Sequence, residues 1–108
     1  MAYDPALAAR IRAAVPAGTT EKRLFGGLGF LRGGNLATSA YRDGGLMIRC
    51  AKDDWQGFID EAGARPMLRK DKPVSGWVLI TADAVAEDAE LARWVARGVA
   101  FAESQPVK

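Results

Sequence analysis

The side chains that could do chemistry in this sequence are few, and most of them have simpler duties. There is no histidine, which removes Ser-His-Asp and Cys-His nucleophile pairs and every metal site with an imidazole ligand. A single cysteine, Cys50, supplies neither a thiolate zinc site nor an intramolecular disulfide. General acid–base work therefore falls to carboxylates. Asp4, Asp53, Asp54, Glu87, Asp88 and Glu90 all stand where helices are expected to begin, and there a carboxylate is favoured by unpaired N–H groups and by the helix dipole. The expectation is a non-enzymatic chain with no catalytic residues, no metal and no cofactor.

Gly26-Gly27-Leu28-Gly29 is the one segment that suggests phosphate binding. It lacks the Gly-Lys-Ser/Thr ending of a P-loop, and Arg32 stands where the dinucleotide spacing needs glycine. It also leads into a strand, so no helix N-terminus is offered to an anion. A bulge or tight bend between strands accounts for it better. Exposed backbone beside Lys22, Arg23 and Arg32 leaves a weak anion or peptide site as the functional alternative. Cys50 falls on the same strand face as Leu46 and Ile48 and reads as a small buried hydrophobe; Arg49 and Lys52 beside it make a reactive thiol the alternative. Trp55, Trp77 and Trp94 sit within apolar patterns and are expected in the core.

Composition supports this. A chain of 108 residues, 49% apolar and 26% charged, has the size and make-up of one globular domain, 1–108, with one hydrophobic core. No signal sequence and no apolar run long enough to span a bilayer is present, so the expected location is cytoplasmic, away from membranes. The net charge of +2 is too small to argue for nucleic acid. Its distribution is uneven: Arg10, Arg12, Lys22, Arg23, Arg32, Arg42 and Arg49 face only Glu21 and Asp43, whereas Asp83, Glu87, Asp88 and Glu90 follow one another without a base. Solvated faces and helix-end charges explain most of this; steering of a partner or self-association is the functional alternative. A nucleic-acid surface would use Arg65, Arg69, Lys70 and Lys72 with Arg23 or Arg42.

The elements that must position these residues follow from spacing. Asp4-Pro5 opens a helix with Leu7, Ile11 and Val15 on one stripe, ended by Pro16 and Gly18. Strands joined by tight turns follow from Thr20 to Ala51, with turns at Arg32-Gly33-Gly34-Asn35 and Asp43-Gly44. Leu46, Ile48 and Cys50 alternate with Met47, Arg49 and Ala51, the period of a strand with one core face. A second helix is expected to be capped by Asp53, with Trp55, Phe58, Ile59 and Ala62 inward and Gly63 as its stop; Gly57 would mark close packing on the sheet. Arg65–Met67 suits an edge strand because of Pro66, Arg69-Lys70-Asp71-Lys72-Pro73 a charged loop, and Trp77–Thr81 a strand covered on both faces. A last helix from Asp88 to Glu103 turns Leu91, Val95, Val99 and Ala102 inward, and Ser104–Lys108 reads as a loose tail. The order α-β-β-β-β-α-β-β-α predicts a two-layer α+β domain, an antiparallel meander of five to six strands with flanking helices.

Asp4-Pro5 with Leu7 and Ile11, the run Thr20-Glu21-Lys22-Arg23-Leu24-Phe25-Gly26-Gly27-Leu28-Gly29-Phe30, Gly33-Gly34-Asn35, Leu46-Met47-Ile48-Arg49, Arg65-Pro66-Met67, Gly76-Trp77-Val78 and Glu90-Leu91-Ala92-Arg93-Trp94-Val95 together resemble the TfoX (Sxy) N-terminal domain family. The resemblance spans about Asp4 to Phe101. It implies a TfoX-N-like α+β fold and a role like that of the family's founding members, regulators of natural competence that assist a cyclic-AMP receptor protein at certain promoters. Those regulators carry a second, C-terminal helical domain, so this chain is expected to be a stand-alone first domain. Leu36–Tyr41 departs from the expected pattern by being small and polar. No catalytic residue is implied. The leading expectation is a regulatory, protein-interaction domain with a protein partner in the transcription machinery, homodimeric through a sheet edge or its hairpins. A small nucleic-acid binder and a small-ligand-binding domain are the alternatives. The candidate partner- or anion-binding surface is Lys22, Arg23, Arg32, Arg42, Arg65, Arg69, Lys70 and Lys72.

Overall fold

A computed structural model describes residues 3–108. Asp4 and Pro5 start α1 (Pro5–Ala14) as their chemistry dictates: Asp4 Oδ1 accepts the Ala6 N–H at 2.9 Å, and Pro5 has no N–H to satisfy. There follow β1 (Thr20–Leu24), β2 (Gly27–Arg32), β3 (Asn35–Ala40), β4 (Leu46–Arg49), α2 (Lys52–Ile59), β5 (Ala64–Arg69), β6 (Lys72–Ile80), a 3-10 turn at Asp83–Val85, and α3 (Asp88–Ser104). The strands form one antiparallel sheet in the order β1-β2-β3-β4-β6-β5. The α+β architecture and its element order are those expected from spacing. The meander holds from β1 to β4. After α2 the chain lays β5 on the far rim and returns as β6 between β5 and β4.

Three hairpins share one device. Phe25-Gly26 (φ 53° and 77°), Gly33-Gly34 (58° and 82°) and Lys70-Asp71 (51° and 65°) are two-residue turns with both central residues in the left-handed region. They close the pairs Leu24↔Gly27, Arg32↔Asn35 and Arg69↔Lys72. Such turns match the twist of antiparallel strands. The charged stretch 69–73, expected as a loop, is thus a tight hairpin, and the bend in the glycine-rich segment is the Phe25-Gly26 turn. The bulge lies further on, between Phe30 and Leu31.

All three helices cover one face of the sheet. Leu7 and Ile11 of α1 and Leu91, Trp94, Val95, Val99 and Ala102 of α3 are buried there with Leu28, Phe30, Ala37, Leu46, Ile48, Cys50, Val78 and Ile80. Burial of each large apolar side chain is worth about 1.5–3 kcal/mol. The smallness of Leu36–Tyr41, unexplained by sequence, has its reason here: α3 crosses β3 at Gly98, where a Cβ would stand 2.2 Å from the Ala37 carbonyl oxygen. Bulky side chains on β3 would hold the helix off. The hydroxyl of the fully buried Thr38 donates to the Met47 carbonyl at 2.7 Å, so its polarity is satisfied.

Helix α2 departs from expectation. Its cap is Ala51, with no side-chain hydrogen bond; Asp53 and Asp54 lie within its first turn, favoured by the dipole. It ends at Ile59, short of Gly63, and nothing lies within 4 Å of a Cβ placed on Gly57, so close packing is not the reason for that glycine. The C-terminal segment expected to be loose lies against the β2–β3 hairpin: Asn35 Nδ2 donates to Pro106 O, and Lys108 N to Gly33 O, both at 2.9 Å.

The opposite face carries no helix. Tyr41, Met47 and Leu79 are nonetheless buried, with Leu36, Met67 and Trp77 packed around them. Phe25, at the β1–β2 turn, meets Trp77 of β6 edge-on at 5.9 Å between ring centroids. Strands β2 and β6 are three spacings of about 4.8 Å apart in the sheet, so the sheet curls toward this face.

Candidate functional site

The cations suspected from sequence do not gather into one patch. Arg32 is structural: it pairs with Glu103 at 2.9 Å and donates to Ala17 O at 2.8 Å, tying the α1–β1 connection to the end of α3. Arg65 pairs with Asp43 at 2.7 Å and joins β5 to the β3–β4 turn. Arg42 lies 5.3 Å from the Tyr41 ring centroid, its stem against Gly26. Lys22 and Arg23 sit on exposed β1, one rim of the sheet, while Arg69, Lys70 and Lys72 are exposed on the β5–β6 hairpin at the other. The glycine-rich segment offers no nest of free N–H groups, because β2 is laddered on both sides. Gly27 is required by strand packing: a Cβ there would stand 2.3 Å from Ala40 O.

Six carboxylates, Glu21, Asp43, Glu61, Asp88, Glu90 and Glu103, are paired with arginines. Glu61 accepts from Arg93 at 2.9 Å and lies 2.8 Å from Arg97 Nη1. Burial pushes its carboxyl up, but the two guanidiniums outweigh that and hold it below the ordinary carboxylate range. Glu90 is lowered by its hydrogen bond from Arg93, and Glu21 by that from Arg12. The Arg93 guanidinium is in turn raised by Glu90 and then Glu61. Cys50 is buried, and burial first, then Asp54, pushes its thiol up. That fits the small buried hydrophobe and not a reactive thiolate. Among the described residues no group of three or more Cys, Asp or Glu stands ready to hold a metal ion, and no helix is long and apolar enough to cross a membrane.

One concavity escaped the sequence. An open cleft of about 430 Å³ lies where Arg49 ends β4, bounded by Trp77, Phe101, Phe25, Leu24, Leu36 and Lys22. The Arg49 guanidinium lies 4.3 Å from the Trp77 ring centroid and 5.2 Å from that of Phe101. Its Nε reaches Gly76 O at 3.4 Å, a long contact. Partial burial lowers its pKa. The alternation in β4 already turned Arg49 away from Ile48 and the core. What sequence could not supply was the Arg49↔Trp77 pairing between β4 and β6, or the arrival of Phe101 from the last helix.

Set beside known families, the chain matches the model described as TfoX N-terminal domain over residues 13–102. No curated protein and no solved structure matches it.

Proposed function

The chain belongs to the TfoX N-terminal domain family, and from that premise we propose that it is a non-enzymatic regulatory domain, of the competence-regulator kind, that acts in the cytoplasm by binding protein and pairs with a second copy along β1. The observation that carries this is the contrast between the two rims of the sheet. On β5, Pro66 and the register break between Pro66 and Leu68 blunt the edge, the usual protection against strand addition. On β1, four of five residues are exposed and neither a proline nor a register break interrupts it. An open edge of that kind accepts a strand from a partner, with main-chain hydrogen bonds giving affinity.

Size-exclusion chromatography with light scattering across a concentration series tests the pairing: a dimer is expected, and a strict monomer at high micromolar concentration overturns it. Capture of partners by the native protein and by Lys22→Glu/Arg23→Glu tests the edge, since charge reversal on β1 should strip specific partners away. A second reading rests on the β5–β6 hairpin, where Arg69, Lys70 and Lys72 are exposed and, among the described residues, in no ion pair. If that hairpin grips nucleic acid, affinity must fall steeply with salt; absence of binding at low salt disposes of it.

A further inference from the structure

We propose that the cleft beside Arg49 binds a small organic anion, a carboxylate or phosphate carried on a flat apolar body. This goes beyond the protein-binding role; the cleft lies beside the β1 edge and shares Lys22 with it, while its other walls come from Arg49, Trp77 and Phe101. Arg10, Arg12, Arg32, Arg65, Arg93 and Arg97 each have a carboxylate within ion-pair distance. Arg49 has none among the described residues, although it is half-buried. No acidic side chain lines the cleft, and Lys22 adds a second cation to its lining. A partly desolvated guanidinium without a counter-ion is a costly arrangement, and an oxyanion arriving in the cleft would offset that cost.

The geometry also shapes the ligand. Stacking on Trp77 and Phe101 spends the faces of the guanidinium, and among the described residues only its Nε makes a protein hydrogen bond. Both Nη groups are left for a bidentate oxyanion. The walls around this donor are aromatic and aliphatic, and about 430 Å³ is room for a small molecule.

Phe25 is the second, independent observation. It holds φ at 53° and leaves its side chain 56% exposed. A bulky residue in the left-handed region is an outlier in a turn that favours Asn or Gly, and its exposure rules out core packing as the compensation. What the strain achieves is to stand an aromatic ring edge-on to Trp77 at the cleft mouth.

The test is titration of the full chain with phenyl phosphate and with benzoate, inorganic phosphate serving as the charge-only control and benzyl alcohol as the ring-only control. Tryptophan fluorescence reports saturation, and the Trp77 indole N–H resonance reports location. At least one ring-bearing anion should saturate and move the Trp77 signal, about tenfold tighter than either control, and the preferred one identifies the head group. Arg49→Gln should weaken it about tenfold or more, the loss expected for a charge-assisted bidentate contact. Phe25→Asn suits the turn, keeps the fold, and should weaken binding through loss of the wall; it carries the test if Arg49→Gln does not fold. The proposal is overturned if neither ring-bearing anion saturates by about 10 mM, the weak limit for ligands of this size. It is equally overturned if both variants bind like the native chain, or if inorganic phosphate binds as tightly as the preferred ring-bearing anion.

Discussion

Helices α2 and α3 lie on the same face of the same sheet, each with a glycine in its interior, and they are built to opposite standards. Helix α3 runs for 17 residues and buries Leu91, Trp94, Val95, Gly98, Val99 and Ala102. Helix α2 runs for 8 residues and buries none fully. A Cβ added at Gly98 would run into the backbone of β3, while one added at Gly57 would meet nothing within 4 Å. What holds α2 is a short set of contacts: Trp55 Nε1 donating to Trp77 O at 2.9 Å, Phe58 edge-on to Trp94 at 6.0 Å, and Glu61, just beyond the helix, reaching Arg93 and Arg97 of α3. The same residue type therefore means opposite things, and the difference is set by what stands opposite it.

The sharpest way to break the comparison is Gly98→Ala. The added methyl would stand 2.2 Å from the Ala37 carbonyl oxygen and 3.4 Å from the Ile48 Cβ, and backbone cannot swing aside as a flexible side chain could. The helix must lift from the sheet, with a loss on the order of 3 kcal/mol or more in urea unfolding; a loss under about 1 kcal/mol would show that α3 is not seated on β3. Gly57→Ala should go the other way. With open space around the site, the gain in helix propensity is about 1 kcal/mol of stability, read as a raised melting temperature, and any loss would mean α2 packs more closely than described.

The smallest expected effect concerns the link between the two helices. Glu61→Gln should cost about 0.5–1 kcal/mol, because the Glu61, Arg93 and Arg97 side chains are 32%, 39% and 25% exposed and water screens the pairs. The sign of its pH dependence is definite. Glu61, Glu90 and Glu21 are all held below the ordinary carboxylate value of 4.5 in the folded chain. Their contribution is complete above that value and declines as pH falls through their lowered folded-state values. The native chain should lose stability on acidification below about pH 4.5, and Glu61→Gln should lose less over the same range. Identical acid profiles would show that Glu61 is not held by the two arginines.

Local pattern made much of the architecture legible. Asp4-Pro5, the Gly33-Gly34 turn, the two-residue alternation of Leu46–Cys50 and the stripe of the last helix each follow from contacts within a few residues, and each is where sequence placed it. The shortfalls share a cause. Lys70-Asp71 forms a tight turn although Lys70 does not favour positive φ, because pairing of β5 with β6 imposes it. Asp53 reads as a cap by composition, yet the helix begins two residues earlier, capped by Ala51, because β4 ends at Arg49 and the Cys50 N–H is already bonded to Gly76 O. The cleft was illegible for a stronger reason: Phe25, Arg49, Trp77 and Phe101 come from a hairpin turn, two strands and the last helix, and only the folded chain brings them together.

From sequence alone, then, came the α+β class, the element order, the family, the face of β4 that enters the core, and the poverty of catalytic side chains. These rest on periodicity, turn chemistry and residue type, which are local. Tertiary structure decided which glycine packs and which is free, why β3 must be small, which arginines find carboxylates, and that Arg49 does not. Those depend on close approach between distant segments, and at distances of 2–4 Å the identity of a neighbour decides the energy of a contact.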